Sequence, residues 1–341
     1  MDLKDKQVLV TGGAGFIGSE VVRQLAGCGA KVIVLDSLVN GKRENLEGLL
    51  AEDQVHLMAE DIRDHEAVAC ALKGTDLLIH MACLGVRHSL HSPRENHEVN
   101  ATATLGLLEL AREKGVKRFI YVSSSEVYGT ARSVPMSEEH PSFPRHVYGA
   151  AKLAGESYTR AFYESHGFPT VVVRPFNTYG PRSHHEGDSG EVIPKFILRA
   201  LAGRPLIIFG DGDQTRDFTY VADTARGILA AAQVDEAVGE TINLGSGHEI
   251  SINDLAQQVA LVTEAHDFRR EHDAPRPGDV RRLYADTSKA KRLLGFKTQV
   301  SLREGITKVR DWYQGLGVPV QKLLEEEVVH NWKGGKLKSH V

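Results

Sequence analysis

The sequence has 341 residues, 41% of them hydrophobic and 25% charged, the make-up of a globular chain long enough to bury one large core or two unequal ones; disordered and fibrous classes are excluded. Its formal net charge is -4, with Lys and Arg spread along the whole length, so no basic stripe exists to neutralise a run of phosphates and nucleic acid is not expected as a partner. No stretch approaches the roughly 20 apolar residues that span a bilayer, and a first strand beginning at Gln7 leaves no room for a charged-then-apolar leader; the chain reads as cytoplasmic, without a membrane partner.

From Gln7 onward, short β-branched runs alternate with longer helical stretches. QVLVTG precedes an amphipathic segment to Ala26. KVIVLD, a polar stretch, VHLMAED, a helix near Ala67 and DLLIHMA follow. A helix through Asn100 to Lys114 leads into KRFIYVSS, a polar loop with three prolines to Arg145, a helix from Tyr148 to about His166, and TVVVRP. Such alternation predicts parallel strands joined by helices, and the nearly continuous apolar runs predict a sheet covered on both faces. The expected fold is α/β, a doubly wound parallel sheet of the Rossmann type with a smaller C-terminal α/β domain. After Pro175 the pattern breaks into loops rich in Gly, Asp and Arg, with helical patches at Ile193 to Ala202, Asp223 to Ala232 and Ile252 to Val262. The expected division is 1–180, 181–320 and a tail, 321–341, with one strand near 241–245 returning to the first sheet. The tail, with LLEEEVV and then KGGKLK, has helical character and no nameable chemistry.

TGGAGFIGS directly follows the first strand and opens a helix, which places Gly12, Gly15 and Gly18 at a spacing that allows a tight turn, close approach to a pyrophosphate and close helix-to-strand packing. Asp36, at the end of the second strand, can accept hydrogen bonds from ribose hydroxyls and repels a 2'-phosphate, which favours NAD over NADP. Asp61 and Ile62 close the third strand, where they can flank an adenine; the plainer reading of Asp61 is a helix cap. Tyr148 and Lys152 stand four apart on one helix face, so an ammonium beside the phenol would lower its pKa and fit it to act as a general base. The three cysteines, Cys28, Cys70 and Cys83, are odd in number and read as small core filler. No histidine pair, His184-His185 included, shows helical ligand spacing, and no metal is expected.

With SSSEVYG upstream, the chain resembles the extended short-chain dehydrogenase/reductase family, specifically its NAD-dependent nucleotide-sugar epimerases and dehydratases. The resemblance rests on TGGAGFIGS, HMAC, EVNATATL, SSSEVYG, YGAAK, RPFNTYGPR, QTRDFTYVAD, NLGSG and RPGDVRR followed by DTSKAKRLLGF, in that order from about Gln7 to about Tyr313. It implies that Tyr148 takes a proton from the sugar hydroxyl at C4, that Lys152 holds the nicotinamide ribose, and that Ser124 bridges the sugar oxygen and the tyrosine. It places Phe16, Ile17, Ala82 and Asn100 with the dinucleotide. Asn177, Arg182, Val192, Arg216, Arg276 and Asp279 fall to the substrate, a UDP-linked sugar, and a homodimer through two helices of the sheet domain is implied as well.

The reaction turns on how the ketone is handled. Glu126 stands where dehydratases and glucuronate decarboxylases carry an acidic residue, or else merely holds a strand end. Ser125 replaces the aspartate of the thymidine-diphosphate-glucose dehydratases. Leu283 replaces the arginine of the decarboxylases, with Arg282 adjacent, and marks a position that walls the sugar pocket in galactose epimerases. Arg182 and SHHEGDSGE could contact a C6 carboxylate, which keeps UDP-glucuronate beside UDP-glucose. The order is 4-epimerase, then 4,6-dehydratase, then decarboxylase; a non-catalytic NAD-binding protein is disfavoured by the presence of Ser124, Tyr148 and Lys152 together.

Overall fold

The computed structural model describes residues 1–51, 53–265, 268–276 and 278–332; the KGGKLK run and Pro277 of RPGDVRR lie outside them. Seven parallel strands form the central sheet: β1 (Gln7–Thr11), β2 (Lys31–Leu35), β3 (Val55–Met58), β4 (Leu77–His80), β5 (Arg118–Val122), β6 (Thr170–Pro175) and β7 (Thr241–Leu244), in spatial order β7-β6-β5-β4-β1-β2-β3. Strand β7 pairs with β6 from Thr241 against Val172 to Leu244 against Pro175, so the chain re-enters the sheet from the second half of the sequence. The order reverses direction between β1 and β4, which opens a crevice at their carboxyl ends.

Alternation along β1 explains the two layers. Val8 and Val10 pack on one face with Val21, Val22 and Leu25 of α1 (Phe16–Gly27), while Leu9 joins Leu78, Phe119, Tyr121 and Leu107 on the other. Helix α2 (Ala103–Glu113) and α3 (Val147–His166) cover that second face. The helix expected from Asn100 begins earlier, at Pro93, and passes through a π-helical turn at Glu98–Thr102 before α2. Such turns insert a residue and re-aim side chains, here Asn100.

The second core is built by α4 (Val192–Leu201), α5 (Ile252–Val262) and α6 (Leu302–Gly315), with Phe196, Ile197, Leu255, Val259, Ile306 and Val309 at its centre. A parallel strand pair not expected from the sequence, Leu206–Phe209 with Arg270–Asp273, lies beside it. REHD is polar and mostly exposed, so only a partner distant in sequence makes it a strand. Phe16, at the start of α1, belongs to this second core and ties the nucleotide turn to it.

Beneath the site, motif residues make a buried network. Arg174 donates from Nε and Nη2 to the two carboxylate oxygens of Glu156 at 2.8 and 2.6 Å, and from Nη1 to the Tyr128 hydroxyl at 2.8 Å. Tyr128 in turn donates to Asn243 Oδ1 at 2.7 Å. Asp217 accepts from the backbone of Ser246, Gly247 and Ala285 at 2.8, 3.1 and 3.2 Å. Two of the sequence motifs and the backbone at Ala285 are therefore clamped together by one buried carboxylate.

The cysteines are not core filler. Cys28 follows α1 and Cys70 lies on a surface helix, both exposed, and Cys83 is half-buried on the wall of the crevice. Among the described residues no group of three His, Cys, Asp or Glu side chains could hold a metal, and no helix is long and apolar enough to cross a membrane.

Candidate active site

A cleft of about 1260 Å³ runs from the β1–α1 turn to the second core. At one end, Gly12, Gly15, Phe16, Ile17 and Gly18 line it. A Cβ on Gly12 would lie 2.6 Å from the Ala82 nitrogen, and one on Gly18 would lie 2.1 Å from the Gly12 carbonyl oxygen, so both positions must be glycine for the turn to close. A Cβ on Gly15 would meet nothing nearer than that same carbonyl, at 3.2 Å; its free side faces the cleft, as a pyrophosphate would require. Asp36 is held by N–H groups of Ala14 and Leu38, each at 2.9 Å. Burial pushes its carboxyl up, and those two hydrogen bonds pull it down. Asp61 and Ile62 line the same end. Asp61 caps no helix, because Asp64 caps the helix at His65–Ala71, accepting from Glu66 and Ala67 at 2.9 and 3.0 Å. Instead Asp61 pairs with Arg63 at 2.7 Å, which holds its carboxyl below the usual range.

Ala82 lines the cleft, and its N–H and that of Met81 donate to Thr11 Oγ1 at 3.2 Å. Asn100 does not reach the cleft. It is buried behind it, accepting from Leu84 N and donating to Leu84 O, both at 2.9 Å, so it fixes the Ala82–Leu84 loop and contacts no ligand space itself.

Ser124, Glu126, Tyr148 and Lys152 meet at the middle of the cleft. Ser124 follows β5, its Oγ accepting from Glu126 N at 3.2 Å, and it faces the same cleft as Tyr148 in the first turn of α3. Burial pushes the phenol well above its ordinary value, against the Ser124 side chain, which lowers it. Lys152 stands one turn further along α3. Its Nζ donates to the Val122 carbonyl at 2.8 Å, because an ammonium only 2% exposed takes the nearest acceptor, and burial lowers its pKa.

Glu126 accepts from His146 Nε2 at 3.1 Å, and His146 Nδ1 accepts from Gly149 N at 3.1 Å, capping α3. The Gly149 N–H assigns the proton to Nε2, which makes His146 the donor to Glu126. Burial raises the Glu126 carboxyl, but His146, Arg216 and Arg87 outweigh it, and Glu126 is a carboxylate. His146 was not singled out in the sequence, since a histidine two residues before the tyrosine has no periodic signature.

Asn177, Val192, Arg216, Arg276 and Asp279 line the far end. Arg216 pairs with Asp279 at 2.5 Å and donates to the Val280 carbonyl at 2.7 Å. Asn177 Oδ1, Arg276 Nε and Ser123 Oγ are buried polar atoms without a hydrogen-bond partner among the described residues, all on the cleft wall. Orphaned groups of both signs in one cleft fit a polar ligand. Arg87, Glu191 and Lys195, not singled out in the sequence, also line it. Burial raises Glu191 to about 7 and, with Arg87 adding to it, lowers Lys195 to about 8. Arg87 could have been found, because it is the one arginine just past β4 at the reversal point of the sheet.

Two further expected residues are elsewhere. Arg182 turns away to α1, donating to Ser19 Oγ at 3.0 Å and pairing with Glu20 at 2.6 Å; a half-buried carboxylate partner claims it. Leu283 is fully buried with Val127, Tyr128, Met136 and Phe176 and is no pocket wall, and the adjacent Arg282 is bound to Glu249 at 3.0 Å. His184 and His185 are both bonded to Glu186 in a loop at the cleft edge.

A family model described as GDP-mannose 4,6 dehydratase matches residues 9–309. The chain belongs to this family of extended short-chain dehydrogenases/reductases. The UDP-glucose 4-epimerase of Mycolicibacterium smegmatis is 35% identical over 311 residues, covering 90% of this chain and 98% of that protein. Among solved structures, a UDP-glucose 4-epimerase from Thermotoga maritima with UDP-glucose superposes with a TM-score of 0.85 at 35% identity, over 91% of this chain and 99% of that one. A mutant UDP-glucuronic acid 4-epimerase from Bacillus cereus, in complex with UDP-4-deoxy-4-fluoro-glucuronic acid and NAD, gives 0.85 at 31% identity over 91% and 99%.

Proposed function

We propose that the protein is an NAD-dependent nucleotide-sugar 4-epimerase acting on a UDP-linked hexose of the glucose or glucuronate class. The observation that carries the reading is the meeting of Ser124, Tyr148 and Lys152, the last one helical turn beyond the tyrosine, in the same cleft as the Gly12–Gly18 turn. Gly12, Gly15 and Gly18 would cradle the pyrophosphate of NAD and Asp36 would take its adenosine ribose. NAD held there would supply a hydride acceptor for sugar C4 and a positive nicotinamide charge that favours the Tyr148 phenolate. Tyr148 removes the proton of the C4 hydroxyl, Ser124 holds the oxygen between them, and Tyr148 returns the proton once the keto sugar has turned over. The first-turn position on α3 helps, since the positive end of the helix favours the phenolate. Arg216, Arg276 and Lys195 take the diphosphate. A homodimer through the sheet-domain helices is part of this reading, checked by light scattering.

Glu126 on the cleft wall is the observation that favours a 4,6-dehydratase. Its pairing with His146, which is itself tied to the first turn of α3, supports a positioning role instead. The decarboxylase reading loses its arginine, as Leu283 is core and Arg282 is engaged with Glu249.

The test incubates the purified enzyme with UDP-glucose, UDP-glucuronate, their N-acetylated relatives and TDP-glucose, and follows products by NMR. C4 inversion without net redox is expected, lost in Tyr148→Phe. A 4-keto-6-deoxy product or released carbon dioxide would overturn the epimerase, and turnover surviving Tyr148→Phe would overturn the catalytic assignment.

A further inference from the structure

The chain continues past the family match, which ends at residue 309. After a short helix at Val320–Leu324, whose Leu323 and Leu324 plug the second core, residues 325–332 run back across the cleft. The run is pinned along its length. Gly187 N donates to the Glu326 carbonyl at 2.9 Å, Arg199 pairs with Glu327 at 2.9 Å, and Asn331 Nδ2 donates to the carbonyls of Asp188 and Gly190 at 3.3 and 3.2 Å. Lys195 Nζ donates to the Val328 carbonyl at 2.8 Å.

This run ends in an aromatic corner. The Trp332 and Phe209 rings stand 4.6 Å apart at 86°, and the Arg276 guanidinium carbon lies 5.3 Å from the Phe209 centroid and 5.5 Å from that of Trp332. Both rings line the cleft. The corner lies in sequence with the rest of the site. Tyr148 and Ser124 adjoin Glu126, Glu126 is within electrostatic reach of Arg87, Arg216 and Arg276, and Arg276 touches the two rings. A proton-transfer centre, a group of cations and an aromatic corner match, in order, a sugar, a diphosphate and a flat heterocycle.

We propose that the C-terminal extension completes the substrate site, with Trp332 forming one wall of the pocket for the nucleotide base and the Val328 carbonyl holding Lys195 toward the diphosphate. The inference rests on the nucleotide-sugar reading above. The adenine of the dinucleotide is no rival occupant, because Asp36, Asp61 and Ile62 mark its end on the other side of the turn. The extension thus ties base binding to the Ser183–Glu191 loop, whose backbone it also holds.

The chain has two tryptophans, Trp312 and Trp332, so Trp312→Phe leaves Trp332 as the sole indole reporter. In NAD-loaded Trp312→Phe enzyme, UDP is expected to change the emission saturably, while inorganic pyrophosphate, which lacks a base, changes it little. By calorimetry, Trp332→Ala should weaken UDP roughly tenfold, about 1.4 kcal/mol, as the loss of one base–aromatic contact does. Pyrophosphate affinity should stay within about twofold, and Trp332→Phe should restore most of the UDP affinity. UDP binding unchanged in Trp332→Ala, or UDP and pyrophosphate weakened equally, overturns the base wall and leaves the nucleotide-sugar reading standing. Parent enzyme that binds neither UDP nor TDP overturns both.

Discussion

Glu156 is fully buried on α3, one turn beyond Lys152, and carries two burdens that a single substitution separates from the chemistry. It neutralises Arg174, itself 3% exposed, through the two short hydrogen bonds described above, and its charge helps keep the buried Lys152 protonated. Glu156→Gln keeps the shape but leaves the Arg174 charge uncompensated. Breaking one partner of a buried pair costs about 3–5 kcal/mol, and the remaining amide oxygen argues for the lower end. A chain of 341 residues unfolds with an entropy of about 0.7 kcal/mol/K, so a loss of about 3 kcal/mol lowers the melting temperature by roughly 4 °C. The double variant Glu156→Leu with Arg174→Met should recover most of that loss, since neither charge is then buried alone. The second effect concerns pH. Burial already lowers Lys152, and without Glu156 its pKa falls further, so the ammonium is lost at lower pH and the alkaline limb of kcat/KM moves toward neutrality. Calorimetric melting and a pH profile with UDP-glucose read the two effects separately. Melting within one degree of the parent together with an unmoved alkaline limb would refute the reasoning about the buried pair and about Lys152 alike.

Three further outcomes follow from the cleft. Gly18→Ala places a Cβ 2.1 Å from the Gly12 carbonyl oxygen and 2.8 Å from Gly13 Cα, both backbone; the turn must open, and the NAD released on denaturation should fall at least about tenfold. Arg182→Ala removes a contact with Ser19 and Glu20 and not with substrate. It should cost up to about 1 kcal/mol of stability and leave the ratio of UDP-glucose to UDP-glucuronate turnover within about twofold; a selective loss on the glucuronate would return Arg182 to the sugar. With Glu191 raised to about 7 and Lys195 lowered to about 8, rising pH first adds a negative charge to the diphosphate end and then removes a positive one. UDP affinity, measured by calorimetry from about pH 6 to about pH 9, should weaken several-fold, and Glu191→Gln should remove the part of the change nearer neutrality.

What the sequence disclosed and what it hid divide along a physical line. The sheet was readable because β1, β4, β5 and β6 are apolar on both faces, a property of each segment alone; the pair Leu206–Phe209 and Arg270–Asp273 was not, because its polar member becomes a strand only through a partner some sixty residues away. The glycine turn, Ser124 and Tyr148 were readable because short motifs fix local backbone and place side chains at a strand end or a helix start. Arg182 and Leu283 misled for the complementary reason: each sits in a recognisable motif, yet what its side chain touches is decided by Glu20 on α1 and by the Tyr128–Phe176 cluster, neither of which any local pattern reports. The same holds for the chemistry. Helical spacing puts Lys152 and Tyr148 on one face, but no local pattern reports that the Lys152 ammonium also donates to the Val122 carbonyl. Glu126 is the sharpest case. An acidic residue at that position is compatible with an acid, a base or an anchor, and the choice belongs to His146, whose Nδ1 is committed to the first turn of α3 and whose Nε2 proton is therefore committed to Glu126. A carboxylate in this position is tied through His146 to the first turn of the helix that carries Tyr148, an arrangement that only the tertiary fold creates.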